Sequence, residues 1–244
     1  MFIRDSVVFI TGANRGLGLA YARGALAAGA KKVYAAARDA SSITLPDVIP
    51  VALDVTNVEQ VAAAVKACGD VTVLINNAGI SRSSSFLSGP AGLEAAKAEF
   101  ETNFFGPWAL SQAFAPVLAA NGGGAIVNVL SALSWLSLPA VATYSASKSA
   151  AWSLTNGLRN ELKAQGTQVV GLHVAFMDTD MAKGVPGDKT HPDAVVEQTW
   201  AALASGASEV LADGVTRQLK AGLSLPHGAY LGEPFARPAA PAHA

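Results

Sequence analysis

Short apolar runs, many of them β-branched, alternate along the chain with longer alanine-rich segments. Most of the runs are apolar throughout, which is typical of strands that are buried on both faces. Six strands are predicted, at residues 7–10, 32–36, 49–53, 71–75, 125–129 and 168–172. Helices are predicted at about 16–28, 58–67, 91–119 with a break near Asn103, and 143–165.

The repeated order of strand, helix and strand predicts a doubly wound α/β fold, with one parallel sheet and helices on both of its faces. No composition shift, linker or internal repeat divides the first 225 residues, so we expect residues 1–225 to form a single domain. Residues 226–244 are rich in Pro, Ala and Gly. We expect them to form a C-terminal tail that is mobile or lies on a neighbouring subunit.

The charges of the chain nearly cancel. Seventeen Lys and Arg against eighteen Asp and Glu give a formal net charge of −1. No global field therefore favours nucleic acid or an anionic membrane, and a small-molecule substrate is expected. Apolar residues make up 51% of the chain, and no residue from 102 to 147 is charged. Because a monomer normally solvates one face of each surface helix, this stretch predicts a subunit interface in a homotetramer or homodimer.

Prolines and glycines divide the uncharged stretch. The breaks at Pro107, Pro116, 121–124 and Pro139 leave pieces shorter than the ~20 apolar residues of a spanning helix, so no membrane span is expected. Cys68 is the only cysteine, which rules out an intrachain disulfide, and the first residues show no signal peptide. These features favour a cytoplasmic protein.

A glycine-rich turn, Thr11 to Gly18, follows the first predicted strand and opens the first predicted helix. Without side chains at residues 12, 16 and 18, backbone N–H groups can approach a diphosphate at the helix N-terminus. A glycine cluster alone is often only a turn, but its place between strand and helix favours nucleotide binding. The spacing of the glycines differs from the G-x-G-x-x-G form.

Tyr144 and Lys148 are four residues apart in a predicted helix, and Ser131 lies thirteen residues before Tyr144. Four residues is about one helical turn, so the phenol and the ammonium project from the same helix face. Such a pair alone also fits an amphipathic helix with one exposed lysine. Together with Ser131 and the glycine turn, it favours a site in which a cation stabilises a phenolate.

In combination, these motifs resemble the short-chain dehydrogenase/reductase family in its compact single-domain form. The resemblance extends from about Ser6 to Met181. It implies a Rossmann-like fold and an oxidoreductase that transfers a hydride between a nicotinamide cofactor and a carbonyl or alcohol carbon. The motifs, in family order, are Thr11-Gly12-x-x-x-Gly16-x-Gly18, Asp54-Val55, Asn76-Asn77-Ala78-Gly79, Asn103, Ser131, and Tyr144 with Lys148.

The resemblance implies four catalytic residues. Tyr144 is the acid that protonates a carbonyl oxygen, or the base in the reverse direction. A free tyrosine has a pKa of ~10, and Lys148 is expected to lower that pKa and to hydrogen-bond the nicotinamide ribose. Ser131 orients the substrate oxygen, and Asn103 helps to hold a proton-relay water behind the lysine. From the residues alone, Asn103 also fits a helix kink, and Ser131 fits a turn at a strand end.

The residues after the second predicted strand favour NADP(H). An enzyme that prefers NAD commonly has an acid there, but here Ala37 is followed by Arg38, and Arg15 lies in the glycine turn. Two guanidinium groups suit the 2′-phosphate of NADP. The alternative is that Arg38 is a solvated loop charge paired with Asp39.

The resemblance also assigns the other cofactor-binding residues. Asp54 has the family's place near the adenine amino group, or it caps the helix that begins near Asn57. Thr179 contacts the nicotinamide carboxamide or the diphosphate. Val174-Ala175 stands where the family usually has Pro-Gly, and Asp213-Gly214 only echoes the usual Asp-Gly-Gly. The predicted cofactor-binding residues are Gly12, Asn14, Arg15, Gly16, Leu17, Gly18, Arg38, Asp54, Val55, Asn77, Ala78, Gly79, Tyr144, Lys148, Met177 and Thr179.

The residues expected around the substrate are mostly apolar, and no basic cluster awaits a carboxylate. A hydrophobic ketone, aldehyde or secondary alcohol is therefore expected, although each apolar residue by itself also fits the core. The predicted substrate-binding residues are Ser131, Leu133, Trp135, Tyr144, Phe176 and Met181, with Leu138 and Met177 as further lining candidates. The histidines at 173, 191, 227 and 243 show no metal-ligand spacing, so no metal is expected.

The leading hypothesis is an NADP(H)-dependent carbonyl reductase or alcohol dehydrogenase. A non-catalytic NADP-binding sensor or scaffold of the same fold is the alternative. Such a protein is expected to lack one or more of the four catalytic residues, and all four are present. A third hypothesis, dehydratase or epimerase chemistry on a sugar nucleotide, is disfavoured because such relatives are typically longer.

Overall fold

The computed structural model describes residues 3–184 and 187–231, and its centre is a seven-stranded parallel sheet in the order β3-β2-β1-β4-β5-β6-β7. The strand order reverses between β1 and β4, which is where α/β sheets of this type bind ligands. The predicted doubly wound parallel fold is confirmed. The strands are β1 (Val7–Thr11), β2 (Lys32–Ala37), β3 (Ile49–Ala52), β4 (Val73–Asn76), β5 (Ala125–Val129), β6 (Gln168–His173) and β7 (Glu209–Leu211).

Helices cover both faces of the sheet. Alternate residues of each buried strand enter opposite cores, as Val8 and Phe9 do in β1. Val8 packs in the core that includes Tyr21 and Leu203, whereas Phe9 packs in the core that includes Phe114. The helices are α1 (Gly16–Ala27), α2 (Val58–Ala67), α3 (Gly89–Phe100), α4 (Gly106–Ala120), α5 (Ala142–Glu161), α6 (Pro192–Ser205) and α7 (Gly214–Gly222).

The predicted break near Asn103 is confirmed as a π-helical turn, Glu101–Phe105, between α3 and α4. The N–H of Gly106 donates to the carbonyl of Glu101, five residues back. Asn103 is buried in this turn. Such turns are rare and often occur at functional sites.

The elements after β6 were not predicted from the sequence. β7 has three residues, too few for a periodic signal, and α6 begins at a proline after the glycine-containing segment 181–187. The end of α7 at Gly222 is compatible with the predicted domain boundary at residue 225, which stays a prediction. Most of the predicted tail, residues 232–244, lies outside the described residues. Among the helices of the described ranges, none has the length and the apolar character needed to cross a membrane.

Candidate active site

The glycine turn after β1 closes against the residues that follow β4. Gly12 and Gly16 have φ angles of 64° and 53°, in the left-handed region that favours glycine. A Cβ at Gly12 would lie 3.1 Å from the Cα of Ala78, and a Cβ at Gly18 would overlap the carbonyl oxygen of Gly12. Side chains at these positions would therefore displace the turn from the neighbouring backbone.

Hydrogen bonds between uncharged groups also hold the glycine turn against the residues that follow β4. The Thr11 hydroxyl accepts hydrogen bonds from the backbone N–H groups of Asn77 and Ala78, both at 2.9 Å. The Asn77 side chain donates to the carbonyl oxygen of Thr11 at 2.9 Å. Asn77 and Ala78, predicted to bind the cofactor, thus also support the glycine turn. Leu17 and Val55 are buried, so their side chains belong to the two cores.

The two predicted phosphate-binding arginines are exposed at the start of α1 and the end of β2. Nη1 of Arg15 lies 3.4 Å from Oδ2 of Asp180, and both side chains are more than 70% exposed, at 72% and 71%. Asp39 accepts hydrogen bonds from the N–H and the hydroxyl of Ser41. No ion pair joins Arg38 to Asp39 or to another residue of the described part of the chain, so the alternative pairing of Arg38 is wrong.

Asp54 lies in the turn between β3 and α2. Its carboxylate accepts from the N–H of Thr56 at 3.0 Å and from the Thr56 hydroxyl at 2.8 Å. The backbone hydrogen bond from Thr56 lowers the pKa of Asp54, and the charge of Arg38 lowers it further. The N-cap of α2 is Asn57, which accepts from the N–H of Gln60. The alternative role of Asp54 as the helix cap is therefore wrong.

Tyr144 and Lys148 lie on the same face of α5, as their spacing predicts. The Nζ of Lys148 lies 5.7 Å from the centre of the Tyr144 ring and donates to the carbonyl oxygen of Val129 at 2.8 Å. Burial lowers the pKa of Lys148 to about 8. The ammonium is thus held between the end of β5 and the phenol.

The pKa of Tyr144 is raised to about 12, mainly by burial. A hydrogen bond with the Ser131 side chain opposes this increase, whereas the charge of Glu99 adds to it. The pKa of Tyr144 in the protein alone is therefore raised and not lowered as expected, because desolvation of the phenolate outweighs the stabilising contact.

Ser131 and Asn103 surround this pair from two elements. The Ser131 hydroxyl accepts from the N–H of Leu133 at 3.1 Å, so it caps a turn as well as meeting Tyr144. The side chain of Asn103 accepts from the N–H of Ile80 and donates to its carbonyl oxygen, both at 2.9 Å. A Cβ at Gly79 would lie 3.2 Å from Oδ1 of Asn103 and 3.6 Å from Nζ of Lys148. The four predicted catalytic residues therefore lie in one region.

Glu99 is a buried residue near this region that sequence reasoning missed. It is fully buried in α3, and its Oε1 accepts from the N–H of Arg82 at 2.6 Å. Thr143, next to Tyr144, donates from its N–H and its hydroxyl to the carbonyl oxygen of Ser84 at 3.3 Å. The loop after β4 is thus tied to α3 and α5. The signal available in the sequence was the four-residue spacing between Glu99 and Asn103, which places both residues on one face of a helix.

The segment after β6 completes the carboxyl edge of the sheet. A Cβ at Gly16 would lie 3.5 Å from Cγ2 of Thr179, so this segment faces the glycine turn. Met177 pairs with Thr190 in an isolated β-bridge. The N–H of Ala175 donates to Oδ2 of Asp213 at 2.7 Å, which anchors the sequence found in place of Pro-Gly.

The predicted substrate-lining residues do not share one environment. Phe176 is 45% exposed and Leu133 is partly buried. Trp135 is 8% exposed and stacks on His173, with ring centres 3.9 Å apart. It packs in a small core cluster, with Leu138 partly buried against it. The side chain of Met181 lies outside the described residues.

Comparison with known proteins agrees with this arrangement. The model of the short chain dehydrogenase family matches residues 6–190. A crystal structure of a short chain dehydrogenase from Burkholderia cenocepacia in complex with NADP is 42% identical, with a TM-score of 0.88, and the match covers 93% of this chain and 95% of that one. The chain belongs to the short-chain dehydrogenase family and thus to a family of oxidoreductases.

Two further relatives match about three quarters of this chain. Dehydrogenase/reductase SDR family member 7B of Danio rerio is 33% identical over 76% of this chain and 66% of its own length. The chain thus spans slightly less than two thirds of that relative. Gluconate 5-dehydrogenase of Gluconobacter oxydans is 30% identical over 78% of both chains.

Proposed function

We propose that the chain is an NADP(H)-dependent carbonyl reductase or alcohol dehydrogenase that acts on a hydrophobic ketone or aldehyde. The observation that carries the proposal is the meeting of Tyr144, Ser131 and Lys148 close to Gly79, which follows the residues that hold the glycine turn. A proton donor, a hydroxyl that both donates and accepts, and a cation are the groups that carbonyl reduction requires.

The proposed reaction uses these groups in one step. NADPH, when bound, supplies the hydride that reduces the carbonyl carbon. Tyr144 donates its phenolic proton to the carbonyl oxygen, and Ser131 holds that oxygen by a hydrogen bond. The pKa of Tyr144, about 12 in the protein alone, favours the protonated donor. Lys148 stabilises the phenolate that remains after proton transfer.

The residues around the glycine turn fit NADP(H). The backbone of residues 12–18 reaches the N-terminus of α1 without intervening side chains at the glycines, which suits a diphosphate. Arg15 and Arg38 are exposed, and Arg38 forms no ion pair among the described residues. Guanidinium groups in these places suit the 2′-phosphate. The NADP complex of the Burkholderia cenocepacia relative supports this assignment.

Replacing Tyr144 with Phe tests the proposed acid. Turnover of a ketone is expected to fall by about 10²–10⁴-fold, while NADPH binding measured by fluorescence stays unchanged. Tyr230→Phe, a change at an exposed tyrosine, is the control. Near-normal turnover in Tyr144→Phe would eliminate the proposed reaction. A screen of aliphatic, aromatic, steroid and sugar carbonyls identifies the substrate class, and preference for a sugar carbonyl would contradict a hydrophobic ketone.

Steady-state kinetics with both cofactors test the assignment of NADP(H). We expect a higher kcat/KM with NADPH than with NADH, and a smaller ratio in Arg38→Ala. A higher kcat/KM with NADH in the unmodified chain would contradict the assignment.

We further propose a cytoplasmic homotetramer or homodimer. The partly exposed rings of Phe105 and Trp108 lie side by side in the uncharged stretch, with ring centres 6.3 Å apart, and support a covered face. A monomer that is independent of concentration in light scattering would contradict the assembly.

A further inference from the structure

His173, the last residue of β6, is fully buried and contacts the backbone of Ser131. Its Nδ1 lies 3.2 Å from the carbonyl oxygen of Ser131. Since a carbonyl oxygen only accepts hydrogen bonds, Nδ1 must carry the proton. The same oxygen also accepts from the N–H of Ser134 at 3.0 Å.

Among the described residues, the carbonyl oxygen of Ser131 accepts no backbone hydrogen bond from β6, although the N–H of the same planar peptide unit, that of Ala132, is bonded across the strands. The N–H of Leu130 donates to the carbonyl oxygen of Leu172, and the N–H of Ala132 donates to that of Val174. Ser131 lies between these two bonds, and its carbonyl is contacted by a side chain of the neighbouring strand instead. Of the two groups that hold the Ser131 carbonyl oxygen, the N–H of Ser134 and Nδ1 of His173, only the second belongs to a side chain and changes with the identity of residue 173.

Packing restricts the imidazole. The ring stacks on Trp135 at an angle of 19°, and a Cβ at Gly171 would be at van der Waals distance, 3.5 Å, from Nε2. Burial lowers the pKa of His173 to about 4. The ring is consequently neutral at pH 7, with its proton on Nδ1 and a lone pair on Nε2.

Charged groups face the other nitrogen. Nε2 lies 3.9 Å from Oε1 of Glu209, which also accepts from Nζ of Lys220 at 2.9 Å. The charge of Glu209 favours protonation of His173, whereas Lys220 and Arg159 oppose it. Nε2 has no hydrogen-bond partner within the described part of the chain. If the proton were on Nε2 instead of Nδ1, the N–H group would therefore point towards Glu209, and the hydrogen bond to Ser131 would be lost.

We propose that His173 is a positioning residue for Ser131. By holding the Ser131 carbonyl through Nδ1, it fixes the backbone from which the serine hydroxyl projects towards Tyr144. The proposal rests on the proposed function, because Ser131 must orient a substrate oxygen for its position to matter. A small misplacement of such a group is costly in rate even when binding is unaffected.

Two variants of similar polarity differ in where they place the donor. In His173→Asn the amide nitrogen replaces Nδ1, whereas in His173→Gln it replaces Nε2. We expect kcat for ketone reduction to stay within about 3-fold of the parent in His173→Asn and to fall by about 10- to 100-fold in His173→Gln, with KM and the Kd for NADPH changed less than about 3-fold in both. His227→Asn, at an exposed histidine, is the control. Equal kcat values in the two His173 variants would overturn the proposal, whether both are normal or both are impaired.

A measurement without turnover tests the contact itself. In the long-range ¹H–¹⁵N NMR spectrum of ¹⁵N-histidine-labelled protein, the signals absent from His173→Asn belong to His173. We expect a proton on Nδ1 and a lone pair on Nε2 at pH 7. A proton on Nε2 alone would overturn the proposal. Full activity of Tyr144→Phe together with the Nδ1 proton would instead refute the proposed function and leave the His173 contact intact.

Discussion

The turn after β1 and the region around the ends of β5 and β6 lie at the same edge of the sheet but are held in different ways. At the turn, Thr11, Asn77 and the glycines make neutral hydrogen bonds and close backbone contacts. Around β5 and β6, titratable side chains hold backbone groups: Lys148 holds Val129, and Asp213 holds Ala175. His173 holds Ser131 in the same manner.

The two regions are therefore expected to respond to different kinds of change. Contacts between glycine and backbone do not titrate, so pH leaves them unchanged, but they tolerate no added atom. The contacts of Lys148 and His173 are made by groups whose pKa is lowered by burial, so their free energy depends on pH. We expect the cofactor side of the site to respond to added volume and the catalytic side to respond to pH.

Gly18→Ala is expected to have the largest effect. The added methyl group would overlap the carbonyl oxygen of Gly12, which is backbone and cannot rotate away. Unfolding free energy measured in urea is expected to fall by about 3 kcal/mol or more, with loss of NADPH binding. Gly157→Ala is the control, because nothing lies within 4 Å of a Cβ at this position in α5. The control is expected to gain about 0.5–1 kcal/mol, and equal effects of the two changes would contradict the steric argument.

The pH dependence of Lys148 is expected to come next. Its pKa is about 8 in the folded protein against 10.5 for an ordinary lysine, so between these values the unfolded chain binds more protons. The contribution of Lys148 to the free energy of unfolding therefore rises between these two pH values, by about 3 kcal/mol in all. Cys68 opposes the rise above pH 9, since burial raises its pKa to about 11.

The difference in unfolding free energy between the parent and Lys148→Met isolates this effect, because Cys68 is common to both proteins. Urea denaturation at pH 8 and at pH 10 gives that difference. A parent-minus-variant value that does not grow with pH would show that Lys148 keeps an ordinary pKa.

Asp213→Asn is expected to have a smaller effect. Asparagine can still cap α7 through Thr216, but the N–H of Ala175 loses a charged acceptor. The expected loss of unfolding free energy is about 1–2 kcal/mol. Asp188→Asn, at an exposed position, serves for comparison and is expected to be neutral. No loss in Asp213→Asn would show that the charge does not anchor the segment after β6.

The smallest effect is expected for Asp180→Asn. This change removes the pair with Arg15, in which both side chains are mostly exposed. Such pairs contribute about 0.2–1 kcal/mol and are screened by salt. Asp193→Asn removes the similarly exposed pair with Arg23. A thermal melt that separates these two variants by more than a few degrees would indicate an additional role for Asp180.

The same contrast explains what the sequence predicts well. The glycine turn, the helical spacing of Tyr144 and Lys148, and the strands are local patterns, and each is found close to where it was expected, although β3 at the edge of the sheet is mostly exposed. These features follow from backbone geometry over a few residues. The parallel order of the strands then brings the motifs to one edge of the sheet.

The rest depends on contacts between residues that are distant in the chain. His173 meets Ser131 across 42 positions, and Asp213 meets Ala175 across 38. No local pattern marks either pair. The pKa of Tyr144 was expected in the wrong direction because residue types reveal a neighbouring cation but not the degree of burial.

The π-helical turn Glu101–Phe105 holds one residue more than an α-helical turn would, because the N–H of Gly106 bonds five residues back instead of four. Deleting one residue there would let α3 and α4 merge into a single regular helix with little change in their relative phase. Asn103 lies in this turn and would lose the place from which its side chain bonds both the N–H and the carbonyl oxygen of Ile80. The position of Asn103 therefore depends on the number of residues in the turn as well as on their identity.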